Sequence, residues 1–137
     1  MKTSTKTLLA AIVVSGFGLT GCAATSSTIS QEEFLASANA ICAEAAAEIE
    51  AMEWPDDGTE VFFIEEVVPN IRQQVADIRE LGYPTGDEEV LAAILDDTEA
   101  VLDEIVAAGP GEVGNQANPF ADVNQRMFAY GLDSCAG

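Results

Sequence analysis

Side chains capable of acid, base or metal chemistry in this sequence are almost all carboxylates. Acidic residues stand side by side at several places, and the chain of 137 residues contains no histidine. Two carboxyl groups that converge on a cleft can act as general acid and base, as in glycoside hydrolysis. Adjacent residues of a helix instead point about 100° apart, so neighbours do not form such a pair by themselves. We therefore expect solvated helix faces, and no catalytic site, at Asp56 and Asp57, Glu65 and Glu66, Asp87 to Glu89, and Asp96 and Asp97.

Carboxylates are also the ligands that calcium prefers, and the segment 56–60 is the nearest approach to a calcium loop. This segment lacks the alternating ligand spacing and the later glutamate of an EF-hand. Zinc and copper sites need histidine or free thiolates, and the chain has no histidine. We predict weak association with divalent cations, no specific metal site and no cofactor.

Arg72 and Arg79 lie seven residues apart, so on a helix they share one face and could clamp an anionic group. Arginines that are greatly outnumbered by acidic residues find carboxylates of their own chain more readily, and Asp77 and Glu80 are near. We therefore expect structural ion pairs. Serine hydrolysis is excluded, because there is no Gly-x-Ser-x-Gly motif and residues 22–137 contain no histidine or lysine to activate a hydroxyl.

The first of three cysteines, Cys22, ends a pattern typical of a lipoprotein. Lys2 and Lys6 precede an uncharged, apolar or small stretch at 8–19, and Leu-Thr-Gly-Cys follows. The apolar run is shorter than the roughly 20 residues that span a bilayer. We predict a signal peptide at 1–21 and lipid on Cys22, which would hold the protein on the extracytoplasmic face of the cell membrane. Residues 22–29 would be the lipidated cysteine and a flexible tether of small and polar residues.

Cys42 and Cys135 then have one possible intramolecular pairing. Thiols outside the membrane oxidise, so we predict a disulfide between them. Their wide spacing lacks the Cys-x-x-Cys arrangement of redox enzymes, which makes the bridge structural.

Charge excludes one large class of partners. The part after residue 21 contains three arginines and all 24 acidic residues, a formal charge of −21. Such a chain repels nucleic acid and anionic lipid headgroups. Residues 30–137 are enough for one acidic domain and too few for two ordinary ones.

Local signals predict where the first two helices begin and end. Ser30-Gln31-Glu32-Glu33 forms a capping box at the start of a helix that ends in the turn 55–58. A second helical stretch covers about 59–81. Pro69 lies inside it and predicts a kink, or a short helix followed by a new one.

Two further helices complete the pattern. Residues 85–88 offer a second capping box, and the amphipathic helix after it ends before Gly109. A loop at 109–117 leads to Asn118 and Pro119, the expected N-cap and first position of a helix that Gly131 ends. We predict an all-α fold: a single four-helix bundle-like domain closed by one disulfide.

Five segments resemble the small helical secreted proteins and lipoproteins of actinobacteria. The resemblance spans most of the chain after the signal and rests mainly on the paired cysteines and the Tyr-Gly-Leu-x-x-Cys ending. It implies the helical fold, the disulfide and the location, and it implies no catalytic residue. The segments are 38–42, 67–72, 78–88, 118–120 and 130–135.

Trp54, the only tryptophan, stands near Phe62 and Tyr83 in the predicted turns. These aromatic residues are interpreted either as a cap on the core or as a patch that binds a partner. The leading hypothesis is a membrane-anchored, non-catalytic interaction or accessory domain with an envelope protein as partner. The alternative is a lipoprotein that binds a cation or small solute, and a carboxylate-based hydrolase is a third class.

Overall fold

A computed structural model describes residues 28–112 and 117–137, and within these residues all regular secondary structure is helical. The predicted all-α bundle is therefore confirmed, with a disulfide between Cys42 and Cys135. The predicted signal peptide, Cys22 and the tether up to residue 27 lie outside the described residues. The α-helices are α1 (Gln31–Ala51), α2 (Thr59–Phe62), α3 (Val68–Glu80), α4 (Glu88–Ala108) and α5 (Ala121–Tyr130). A π-helical turn at Phe63–Val67 joins α2 to α3, and 3-10 turns cover Pro110–Glu112 and Asp133–Cys135.

The long helices pack antiparallel to their neighbours. The rod from α2 to α3 returns along α1, α4 runs back along α3, and α5 runs back along the first half of α4. Antiparallel packing of this kind follows from short connections between amphipathic helices. The contacts that define it are Asn70 to Glu48 and Tyr83 to Phe34 between the α3 rod and α1, Arg72 to Asp103 and Arg79 to Asp96 between α3 and α4, and Tyr130 to Asp87 between α5 and α4.

The bundle has two chemically different ends. Phe34, Tyr83 and Tyr130 lie together at one, termed the Tyr end. Trp54 and Phe62 lie at the other, termed the Trp end. Helix α1 has 21 residues, which separates the two ends by about 30 Å at a rise of about 1.5 Å per residue.

The predicted start of α1 is confirmed, and the predicted capping box at 85–88 is wrong. Ser30 Oγ accepts from the Glu33 N–H, and the Glu33 carboxylate accepts from the Ser30 N–H. The Ser30 hydroxyl also donates to the Glu33 carboxylate, and this bond together with that from the Ser30 N–H lowers the pKa of Glu33. At α4 the N-cap is Asp87, whose carboxylate makes no capping bond and accepts from the Tyr130 hydroxyl at 2.7 Å instead. A tertiary hydrogen bond has thus replaced a local one.

Pro69 is accommodated without a break in the rod. It lies in the first turn of α3, directly after the π-helical turn, and Val68 keeps right-handed helical geometry at φ −57° and ψ −46°. The Val68 N–H donates to the Phe63 carbonyl, one residue further back than in an α-helix. This wider turn is a π-bulge, and it shifts the register of the helix by one residue just before the proline.

Helix α5 begins later than its sequence predicts. Asn118 Oδ1 accepts from the Phe120 N–H at 3.0 Å, so the asparagine forms a turn and the helix starts at Ala121. The buried face of α5 is narrow: Val123 and Met127 are buried, whereas Phe128 is 67% exposed. Positions 127 and 128 point about 100° apart, so only one of them can face the core.

The end of the chain closes on the middle of α1. Gly131 ends α5 in the left-handed conformation at φ +100°, and the following residues turn back toward Cys42. The Cα atoms of Cys42 and Cys135 lie 5.0 Å apart, and Cys42 is fully buried. The Asn39 side chain donates to the Gly131 carbonyl at 2.9 Å and accepts from the Ser134 N–H at 2.8 Å. Segments 38–42 and 130–135 of the resemblance therefore meet in a structural joint.

Replacing Asn39 with alanine is expected to lower the free energy of unfolding by about 2 kcal/mol. Two hydrogen bonds between segments more than 90 residues apart are lost, at about 1 kcal/mol each. Urea unfolding monitored by circular dichroism measures the change. Ser37→Ala on the same helix is the matched control and should cost less than about 0.5 kcal/mol. Equal losses in the two variants would contradict the joint.

Candidate partner-binding site

The Trp end carries an aromatic pair in which Trp54 is exposed and Phe62 is half-buried. Trp54 follows α1, and its ring centroid lies 5.0 Å from that of Phe62 on α2 at an interplanar angle of 52°. The indole N–H donates to the Ile49 carbonyl at 3.4 Å, so the helix end and the neighbouring ring both orient the side chain. Trp54 nevertheless remains 46% exposed, and Val61 beside it on α2 is 43% exposed. An orientated, exposed tryptophan is the kind of residue that contributes most to protein interfaces.

Tyr83 does not belong to this pair, and its predicted place in the patch is wrong. Its ring packs edge to face on Phe34 with centroids 6.3 Å apart, and it borders the hydrophobic core. Phe34 lies in the first turn of α1 and Trp54 just beyond the last, so the two aromatic groups occupy opposite ends of the bundle. Phe62 and Tyr83 are close in the sequence, but they lie at opposite ends of the bundle because α3 runs between them.

Negative charge surrounds the aromatic pair. The segment 50–66, which contains both rings, has seven acidic residues and no lysine or arginine. All seven side chains are exposed. The set comprises Glu50, Glu53, Asp56, Asp57, Glu60, Glu65 and Glu66.

The three arginines are held elsewhere, by helix α4. Arg72 and Arg79 therefore form ion pairs within the chain, as predicted, rather than a clamp for an anionic group. Their partners are not Asp77 and Glu80. Asp77 instead accepts from Gln73 at 2.7 Å. Arg79 pairs with two carboxylates. The hydrogen bond to Asp96 raises its pKa, and partial burial of the guanidinium opposes this rise. The ion pairs are Arg72 with Asp103, Arg79 with Asp96 and Glu99, and Arg126 with Asp97 and Asp122.

No protein-family model, curated protein or solved structure matches this chain. The function therefore has to be inferred from the chemistry of the protein's own surface. In residues 28–112 and 117–137, no three histidine, cysteine, aspartate or glutamate side chains are placed to share a metal ion. None of the described helices combines the length and the apolar character needed to cross a bilayer.

Two concavities compete with the aromatic pair as sites. A cavity of about 210 Å³ lies against the disulfide, between α1, α3, α4 and α5. Thr98 in its wall is buried, and its hydroxyl already donates to the Ile94 carbonyl. A shallow depression of about 420 Å³ lies between α4 and α5. Neither was expected from the sequence, because both depend on how α5 packs against the other helices. Their linings include Ile49, Ile71, Phe120 and Met127 for the first and Val90, Ala93, Ala129 and Tyr130 for the second.

The polar group with the most perturbed titration lies at the Tyr end. Burial raises the pKa of Tyr130 to about 12, and the hydrogen bond to the Asp87 carboxylate adds to the rise. The phenol therefore stays neutral and serves as a structural donor. An unfolded tyrosine has a pKa of about 10, so the folded form holds its proton to higher pH than the unfolded form.

Stability is expected to fall as the pH rises from about 10 to about 12, and Tyr130→Phe should remove part of this fall. The contribution of Tyr130 is complete below the unfolded pKa and is lost as the pH rises through the folded one. Urea midpoints measured for both proteins across this range test the prediction. Tyr83→Phe, which alters the other ring on Phe34, is the control and should keep the alkaline fall of the original chain. An unchanged fall in Tyr130→Phe would contradict the assignment.

Proposed function

We propose that this protein is a lipoprotein anchored at Cys22 on the extracytoplasmic face of the membrane, and that it captures a protein partner with its Trp end. It acts as a non-catalytic interaction or accessory domain. The observation that carries the proposal is Trp54, which is exposed yet fixed by a hydrogen bond to Ile49 and by contact with the half-buried Phe62 ring. Little ordering entropy is then lost when a partner covers it.

The direction of the chain supports this role. The anchored terminus enters the domain at Ser30, which begins α1 at the Tyr end. The Trp end lies about 30 Å further along α1, at the far side of the bundle from the point of attachment. A docking surface there is directed at other envelope proteins rather than at the membrane that carries the anchor.

Photo-crosslinking in cells tests the proposal directly. A photoreactive residue replaces Val61, which is exposed beside the aromatic pair and is not one of the two rings. We expect one reproducible protein adduct, identified by mass spectrometry. Adding Trp54→Ala to the same probe should reduce the adduct at least about tenfold, because removing a central aromatic residue costs about 2 kcal/mol or more.

The matched control places the same probe at Val90, an exposed valine in the first turn of α4. This position lines the depression between α4 and α5 at the opposite end of the bundle. It should give no such adduct. The same partner captured from Val90 and not from Val61 would overturn the assignment to the Trp end. Circular dichroism of the Trp54→Ala protein shows whether the fold is kept.

A second candidate function is suggested by the cavity beside the disulfide, which could hold a small apolar solute. Its volume of about 210 Å³ is below the usual range for ligand pockets, so the solute would be no larger than a single aromatic ring. Titration with benzene, followed by the methyl resonance of Met127, tests this function. A saturable shift that Ala46→Phe abolishes would support solute binding, and a linear response would reject it.

A further inference from the structure

The Trp end is negative for reasons beyond its acidic side chains. Because α1 and α4 run parallel, both of their C-termini lie at this end, and neither has a basic residue in its last turn. Each helix C-terminus carries a partial negative charge of about half an electron. Natural helices offset this charge with lysine or arginine near the C-terminus.

The compensating cations of the chain do not reach this surface. Each described arginine is bound to carboxylates of α4, and the segment 28–71 contains none. Every charged residue of the segment 28–71, which contains Trp54, is therefore acidic. Glu53 precedes Trp54, Asp56 and Asp57 follow it, and Glu60 is close to Phe62 in the sequence.

An aromatic face within a negative field selects for a cation. Arginine and lysine bind over the face of tryptophan more strongly than over other rings, and adjacent carboxylates pair with further basic groups. A second copy of residues 22–137 would bring a charge of −21 against the same charge, and nucleic acid or anionic lipid would likewise be repelled. A basic segment of another protein matches the surface in both charge and apolar character.

We infer that the Trp end binds a basic protein segment, with an arginine or lysine over the Trp54 indole and neighbouring basic residues on Glu53, Asp56 and Asp57. This inference rests on the proposed function and names the class of partner. Charge complementarity around the aromatic pair carries it.

Peptide binding to the purified full-length protein in non-ionic detergent tests the inference. The probes are three fluorescein-labelled peptides of the same length, with alternating leucine and arginine, leucine and glutamine, or leucine and glutamate. We expect the arginine peptide to bind at least about tenfold more tightly than the glutamine peptide, and the glutamate peptide not to bind. Trp54 is the only tryptophan, so its fluorescence should change with the same midpoint as the anisotropy of the arginine peptide.

Two triple variants of equal charge locate the site. Glu53→Gln, Asp56→Asn and Asp57→Asn at the Trp end should weaken binding about tenfold. Glu32→Gln, Glu80→Gln and Glu89→Gln at the Tyr end should weaken it less than about twofold, since at about 0.15 M salt charges beyond roughly 8 Å are largely screened. Equal losses in both, or an unresponsive Trp54, would show attraction to a polyanion in general and overturn the inference.

The peptide experiment and the crosslinking experiment fail separately. A partner captured from Val61 together with equal binding of the arginine and glutamine peptides would keep the docking surface and reject the basic partner. Absence of a Val61 adduct together with no saturable binding of any peptide would reject both proposals. Mapping the crosslinked peptide of the partner adds a direct check, because its sequence must be rich in lysine or arginine.

Discussion

Removing the disulfide is expected to lower the free energy of unfolding by about 4 kcal/mol. The bridge links residues 93 positions apart, and closing a loop of that length restricts the unfolded chain by about 4 to 5 kcal/mol in the chain-entropy model. Domains of this size are stable by only about 5 to 15 kcal/mol in total. The domain would therefore be marginal under reducing conditions, in agreement with the predicted extracytoplasmic location.

Urea unfolding of a Cys42→Ala, Cys135→Ala variant measures this effect against the oxidised protein. The same loss should appear when the original chain is unfolded in the presence of a thiol reductant, which separates loss of the bridge from loss of the cysteine side chains. The Asn39 hydrogen bonds join the same two segments. They should not reduce the loss of free energy of unfolding in either measurement, because they also break on unfolding. A difference below about 1 kcal/mol would contradict the chain-entropy argument.

Replacing Phe34 with alanine is expected to cost about 3 to 5 kcal/mol. The ring is fully buried in the first turn of α1, and the rings of Tyr83 and Tyr130 each meet it edge to face at 6.3 Å. Its removal leaves a cavity that two anchored tyrosines cannot fill, and it also removes two aromatic contacts of about 1 kcal/mol each. The Tyr130 hydrogen bond to Asp87 restrains that ring from moving into the space.

Phe128→Ala provides the matched control, since Phe128 is 67% exposed on α5. It should change the free energy of unfolding by less than about 0.5 kcal/mol. Phe34→Ala should also leave the Trp54 fluorescence of the folded state unchanged, because the two residues lie at opposite ends of α1. Comparable losses in the two phenylalanine variants would show that the Tyr end is not the packed end of the core.

Together these effects divide the molecule into a packed half and a half that we propose binds a partner. The Tyr end contains the aromatic core contacts, the joint at Asn39 and the start of α4. At the Trp end α5 is absent and Trp54 is exposed. Substitutions for partner binding can therefore be made at the Trp end with little cost in stability.

The sequence by itself determined the features that depend on neighbouring residues. The capping box at Ser30, the positive-φ glycine that ends α5 and the helical periodicity all arise from groups within a few positions of one another. The disulfide was also predictable, because an oxidising location leaves Cys42 and Cys135 one intramolecular partner each. The negative charge of the Trp end can be read directly from residues 50–66.

Only the tertiary structure decided which distant groups meet. Arg72 and Arg79 bind carboxylates of α4 instead of nearby Asp77 and Glu80, because packing directs their shared face toward that helix. The Asp87 carboxylate accepts no capping bond from α4 and instead accepts from the hydroxyl of Tyr130, 43 residues away. Tyr83 and Trp54 were separated by the length of α3. Spacing along the chain determines local hydrogen bonds, whereas the direction and length of each helix determine which surfaces coincide, and those are set by the packing of the whole bundle.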